Sequence, residues 1–161
     1  MIGISEYKNT LIWVTVMLLL ALQKHAGFII FLFLPFFVVY VVHGLFLMIK
    51  QPELRKIKTI RTTIWVLTLL IISSVHRYWR VESRRDANAV ASAIEAFKVK
   101  TGAYPHSLIE IGFNENALRQ KWMLGYLCED GRPFVAYADP FMIFASYIYD
   151  FKVHQWTYNE G

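Results

Sequence analysis

The segment Phe28 to Ile49 runs for 22 residues without a formal charge and is rich in Phe, Val, Ile and Leu. About 20 apolar residues in a helix cross the hydrocarbon core of a bilayer, so this run demands either lipid or a protein interior wide enough to cover it all round. Such an interior is hard to build from a chain of 161 residues, about one domain's worth. Residues 1–49 hold only Glu6, Lys8 and Lys24 as charges, and 56% of the whole chain is apolar against a norm of roughly 45–50%. An ordinary soluble domain, a disordered tail and a collagen-like repeat are excluded, and the lone Cys128 excludes a disulfide scaffold. Pro35 and Gly44 are tolerable in a lipid-embedded helix, where freed backbone groups find local partners. His43 is the one titratable side chain deep in the run; a neutral imidazole bonded to a helix neighbour stands beside the functional reading.

Two further segments have the same texture. Thr10 to Leu22 reads TLIWVTVMLLLAL and spans a membrane if Tyr7, Lys8 and Gln23 to His25 snorkel at its ends. A cleaved signal peptide is the rival reading, opposed by Glu6 beside Lys8 and by the lack of a convincing small-x-small site. Only residues 23–27 separate the first two runs, which predicts an antiparallel hairpin. The third run, Ile64 to Val75, extends back to Thr59 and lies between Lys50, Arg55, Lys56, Lys58 and Arg61 on one side and Arg77, Arg80, Arg84 and Arg85 on the other. Tyr78 and Trp79 stand where interfacial aromatics belong. The expected organisation is a transmembrane hairpin and basic loop over residues 1–58, then a module over 59–161 with its span at about 59–76 and its soluble part at about 77–161.

Three spans put the chain ends on opposite sides of the membrane. Counted with the N-terminus in the cytoplasm, flanking cations number six inside against five outside, and an external C-terminal domain is the expectation. The formal net charge of +5 divides into +8 over residues 1–85 and −3 over residues 86–161. The basic excess therefore borders apolar runs, as lipid phosphates require, and no nucleic-acid partner is expected of the slightly acidic remainder.

Beyond Val75 the apolar residues become periodic. Ala87, Val90, Ala91, Ile94 and Phe97 form one stripe, with Glu82, Arg84, Arg85, Asp86, Asn88, Ser92, Glu95 and Lys98 mostly on other faces. Nothing from Thr62 to Lys100 breaks a helix, which predicts one long helix ending at Thr101-Gly102. Strand texture follows over Trp122–Cys128, Pro133–Ala138, Phe141–Tyr149 and Val153–Tyr158, with turns at Glu129–Arg132, Asp139-Pro140 and Asp150–Lys152. Leu108–Gly112 and Glu115–Lys121 suggest short helical turns. The predicted fold class is an α+β membrane protein: three transmembrane helices, the third continuing into an amphipathic helix that covers a four-stranded antiparallel sheet.

Residues Ala87 to Ile111, ANAVASAIEAFKVKTGAYPHSLIEI, carry an alanine-spaced helix, an aromatic near its end, a turn, then Gly-x-Tyr-Pro and a leucine. Phe97, Gly102, Tyr104, Pro105 and Leu108 fill those positions, and YIYDFKVHQWTY from Tyr147 to Tyr158 looks like a closing hairpin. Over about residues 60–161 the chain thus resembles the type IV pilins and type II secretion pseudopilins. The resemblance implies a bacterial inner-membrane protein with a pilin-like domain outside. Two departures bear on function: no glycine lies between Gln51 and Ala87 for a prepilin peptidase, and Thr59 to Val75 lacks the family's glutamate. A pilin-like domain held permanently by two extra N-terminal helices is expected, rather than a filament subunit.

No Walker loop, GxGxxG, HExxH, Cys pair or GxSxG is present. The histidines at 25, 43, 76, 106 and 154 lack ligand spacing, and Cys128 reads as a small strand hydrophobe. Some pseudopilins hold calcium near their last loops, which draws attention to Asp130, Asp139 and Asp150; without clustered alternate carboxylates these read as turn-capping residues. The expectation is a non-enzymatic protein without cofactor or metal, its partners the lipid bilayer and another protein of a pilus or secretion system. An immunity protein that blocks a toxin, or a small subunit of a membrane complex, are the alternatives.

Overall fold

The structure, a computed structural model, describes residues 7–161 and is α+β. It divides into two compact units, Met1–Arg77 and Tyr78–Gly161. Helix α1 spans Lys8–Ala21, α2 Ile29–Lys50, α3 Arg55–Thr101 and α4 Glu115–Trp122; strands β1 to β4 span Gly125–Glu129, Arg132–Ala138, Ser146–Asp150 and Gln155–Asn159. Short 3-10 turns occupy Pro52–Leu54 and Leu108–Ile111.

In the first unit Met17 and Ala21 of α1 and Ile72 of α3 form a buried cluster, against which Ile30, Phe33, Trp65 and Leu69 pack. Apart from Gly44, no residue of α2 is fully buried, and Phe36, Val39 and Ile49 are among its most exposed side chains. Among the described residues two helices are long and apolar enough to cross a membrane by length and composition, α2 and the continuous stretch Pro52–Thr101. Helix α1 is shorter: its 14 residues reach about 21 Å, against about 30 Å of hydrocarbon. It stops because the backbone turns after Leu22, with His25 at φ 67°, and because His76 Nε2 meets the terminal carbonyl of Ala21 at 2.7 Å. At the other end Arg55 Nε donates to Met48 O at 2.8 Å, fixing the link into α3.

In the second unit the sheet is a meander of order β1-β2-β3-β4, every pair antiparallel. Ala87, Val90 and Ile94 of α3 are buried against Val135, Tyr137, Leu124 and Leu108. Ala91 is also buried, whereas Phe97 is only half-buried at the edge of the stripe. Helix α3 ends as the residue pattern dictates: Gly102 takes φ 82°, which a side chain resists, and its N–H donates to Lys98 O at 2.8 Å. The β1–β2 turn places Asp130 at φ 50° and Gly131 at φ 72°, a two-residue hairpin turn whose twist suits antiparallel strands.

Strand boundaries differ from the sequence expectation at three places. Strand β4 begins at Gln155 and not at Val153, because the β3–β4 turn runs on through His154, which takes φ 54°. Trp122 closes α4 instead of opening β1, because Asn114 caps that helix through the Ala117 N–H and Met123 then turns left-handed at φ 52°. Phe141 to Ala145 is a turn and β3 begins at Ser146, since the Asp139 carboxylate captures the N–H groups of Phe141 and Met142.

Candidate functional site

The motif residues of the helix-to-sheet passage are structural. Gly102 ends α3, and Tyr104 accepts a hydrogen bond from Lys98 Nζ at 2.8 Å while its ring meets Phe151 edge-on at 5.4 Å. The buried Pro105 offers its carbonyl to the Tyr126 hydroxyl at 2.6 Å, and Leu108 is in the core. Burial pushes the Tyr126 phenol well above its ordinary range.

Polar residues beside the stripe do more than face solvent. Asp86 accepts from the Trp122 indole at 2.8 Å and from Lys121 at 2.9 Å; Asn88 accepts from the Trp156 indole at 2.8 Å. Glu95 accepts from the Tyr149 hydroxyl at 2.7 Å and lies 2.5 Å from His154 Nδ1. Burial opposes ionisation of Glu95 and Asp86, but these hydrogen bonds outweigh it and hold both carboxyls below their ordinary range. The residue pattern put these three positions on other faces; the missed signal is that Trp and Tyr carry a polar tip on an apolar body, so a sheet of aromatics needs acceptors flanking the stripe.

Between α3, β3 and β4 lies a polar depression of about 390 Å³, lined by Arg84, Asn88, Ser92, Tyr149, His154 and Trp156 among others. The Arg84 guanidinium sits 5.4 Å from the Trp156 ring and 5.7 Å from Tyr147, so its charge is spent largely on aromatic faces. These contacts fasten the last hairpin to α3.

The three turn aspartates are not brought to one place. Asp130 and Asp150 belong to the turns at one end of the meander, Asp139 to the other. Asp139 is fully buried, bonded to two turn N–H groups and paired with Arg80 at 3.2 Å; Asp150 accepts from the Lys152 N–H at 2.7 Å. Among the described residues no group of three or more His, Cys, Asp or Glu is placed to hold a metal ion. Cys128 is half-buried in β1, and His43 is exposed on α2.

The sheet face opposite the core has a different character. Strand alternation and register place Gly125, Leu127, Phe134, Ala136, Ile148 and Thr157 there as neighbours across all four strands. Leu127 and Phe134 are directly paired and 52% and 47% exposed, and charge is confined to the turn end at Glu129, Arg132 and Asp150. Comparison of the chain with protein families, with characterised proteins and with solved structures finds no match.

Proposed function

We infer that this is a non-enzymatic protein of the bacterial inner membrane, anchored by three helices with its N-terminus in the cytoplasm, whose outward pilin-like domain binds a protein of a pilus or secretion system. The observation that carries the binding role is the part of the outer sheet face away from its charged turn end, where an exposed Leu127–Phe134 pair continues into Ala136 and Ile148. Contiguous exposed apolar surface is costly on a free domain and is characteristic of contact sites. Membrane anchoring draws support from the exposed apolar surface of α2 and from α3, whose first half is apolar and basic-flanked and whose second half carries the stripe. Here α1 acts as a short span completed by its flanking residues, and bilayer thinning accommodates the remainder.

The test is photo-crosslinking in living cells, with a photoreactive residue at Leu127 or Phe134 and a control at Lys152 on the far turn. One discrete crosslinked partner from the face positions, absent from the control and lost when Ala136 is changed to Arg, is expected. Identification of that partner as a pilus or secretion component supports the reading; a toxin as partner replaces it with the immunity reading, and no face-specific product refutes the binding role.

A further inference from the structure

Strand β4 closes one side of the meander, pairing with β3 and with no other strand among the described residues. In an antiparallel ladder alternate residues turn their N–H and C=O groups to the neighbour and the rest turn theirs away. Part of the backbone of Gln155–Asn159 therefore points off the open edge. Among the described residues no turn or loop backbone group bonds to it. Proteins blunt such edges with a charge, a proline or a bulge. The sequence of β4, QWTYN, has neither charge nor proline, and its register with β3 runs residue for residue. All of it is exposed except the half-buried Trp156, whose indole is already bonded to Asn88.

The order of residues along β4 is close to its own mirror image: amide, aromatic, threonine, aromatic, amide. Laid antiparallel to a second copy about Thr157, the strand sets Gln155 against Asn159, Trp156 against Tyr158 and Thr157 against itself. Aromatic then meets aromatic and hydroxyl meets hydroxyl, both favourable across antiparallel strands, and no like charges are opposed. Trp156 and Tyr158 lie on the core side of the sheet, their rings 5.0 Å from Tyr149 and 5.1 Å from Tyr147, so the aromatic layer of one copy would run on into that of the other. The polar depression lined by Arg84, Asn88, Gln155 and Trp156 leaves a hollow, and not a wall, between α3 and this edge. The opposite edge, β1, lacks the symmetry: about Leu127 it would set Gly125 against Glu129 and Tyr126 against Cys128. We propose that β4 is a dimerisation edge, which pairs antiparallel about Thr157 with β4 of a second copy of this chain and joins the two four-stranded sheets into one. The inference uses the second unit alone and does not depend on the membrane reading or on the partner given above.

The test weighs the full chain in micelles by native mass spectrometry over a range of protein concentrations. A dimer of the unaltered chain is expected. Thr157 is exposed on the outer face, so a charge there leaves the fold intact but faces its own copy across the two-fold axis. Thr157→Lys and Thr157→Glu should each weaken the dimer about fivefold, and an equimolar mixture, with one variant tagged, should form the mixed dimer in preference to either same-charge one. In cell membranes Thr157→Cys should give a disulfide-linked dimer under mild oxidation, since opposed Cβ atoms lie about 5 Å apart; the parent chain, whose one cysteine is Cys128, is the control. A monomeric unaltered chain, which involves no variant that could misfold, overturns the proposal. So does a dimer indifferent to both charges, or one that the mixture fails to restore. A Thr157→Cys chain that couples to a different protein, and not to itself, also overturns it and gives the edge to a foreign strand.

Discussion

Trp122 Nε1 donates to Asp86 Oδ2 at 2.8 Å, so the last residue of α4 is pinned by its indole to the flank of α3. The Trp122 side chain is fully buried, and its N–H has no water to turn to. Asp86→Ala should therefore cost about 1–3 kcal/mol, the penalty of an unsatisfied buried donor. Trp122→Phe in the Asp86→Ala background should cost markedly less than in the parent, because the orphaned donor is gone. Chemical denaturation of the full chain in micelles, run as a double-mutant cycle, measures the difference.

Asp139 and Arg80 form an unequal pair. The Asp139 side chain is 1% exposed and organises the Phe141 and Met142 N–H groups, whereas that of Arg80 is 52% exposed and solvated. Asp139→Ala is expected to cost about 2–4 kcal/mol and to loosen the 139–145 turn, and Arg80→Ala about 1 kcal/mol or less. Thermal unfolding together with protease cleavage within residues 139–145 reports both effects; equal losses would mean that the ion pair, and not the turn, is what matters.

The Glu95–Tyr149 contact makes stability depend on pH at both extremes. The depressed Glu95 pKa means its contribution is complete above the ordinary value of 4.5 and is lost as pH falls below it through the folded value. Burial and then the hydrogen bond to Glu95 push the Tyr149 phenol from 10.0 up to about 12, so its contribution is complete below 10.0 and is lost as pH rises towards 12. Tyr149→Phe should remove the alkaline decline that Tyr149 causes and shrink the acid decline, because Glu95 loses one of the hydrogen bonds that hold its folded value below 4.5. Denaturation midpoints collected across the pH range give the result.

Along the stripe, depth decides cost. Ile94→Asp places a carboxylate in a fully buried position and should unfold the second unit at a cost of several kcal/mol. Phe97→Asp acts at a half-buried edge and should cost less. Comparing protease resistance of the two variants tests this ranking, and a greater loss at Phe97 would contradict the packing described.

Much of this fold is legible because periodicity and punctuation agree. The 3.6-residue spacing of Ala87, Val90, Ala91 and Ile94 marks the buried face of α3, and Gly102 marks its end. The Asp130-Gly131 pair likewise marks the first hairpin turn. Legibility fails where a side chain belongs to two patterns at once. Trp122 has strand-like neighbours, yet its position is set by the Asn114 cap and by a hydrogen bond to Asp86, 36 residues away in sequence. The apolar run Phe141 to Phe144 has strand composition, but the buried Asp139 carboxylate holds it as a turn. Glu95, Tyr149 and His154 come together only through tertiary contact, 54 and 59 residues apart, which no local spacing announces.

The central claim is that α1, α2 and the first half of α3 cross the membrane and carry the second unit outside the cytoplasm. Topology reporters fused after Lys24, Arg55 and Gly161 in the intact chain test it in one experiment. The account predicts signals outside, inside and outside in that order. A cytoplasmic signal after Gly161, with the protein still resisting alkaline extraction, would contradict it.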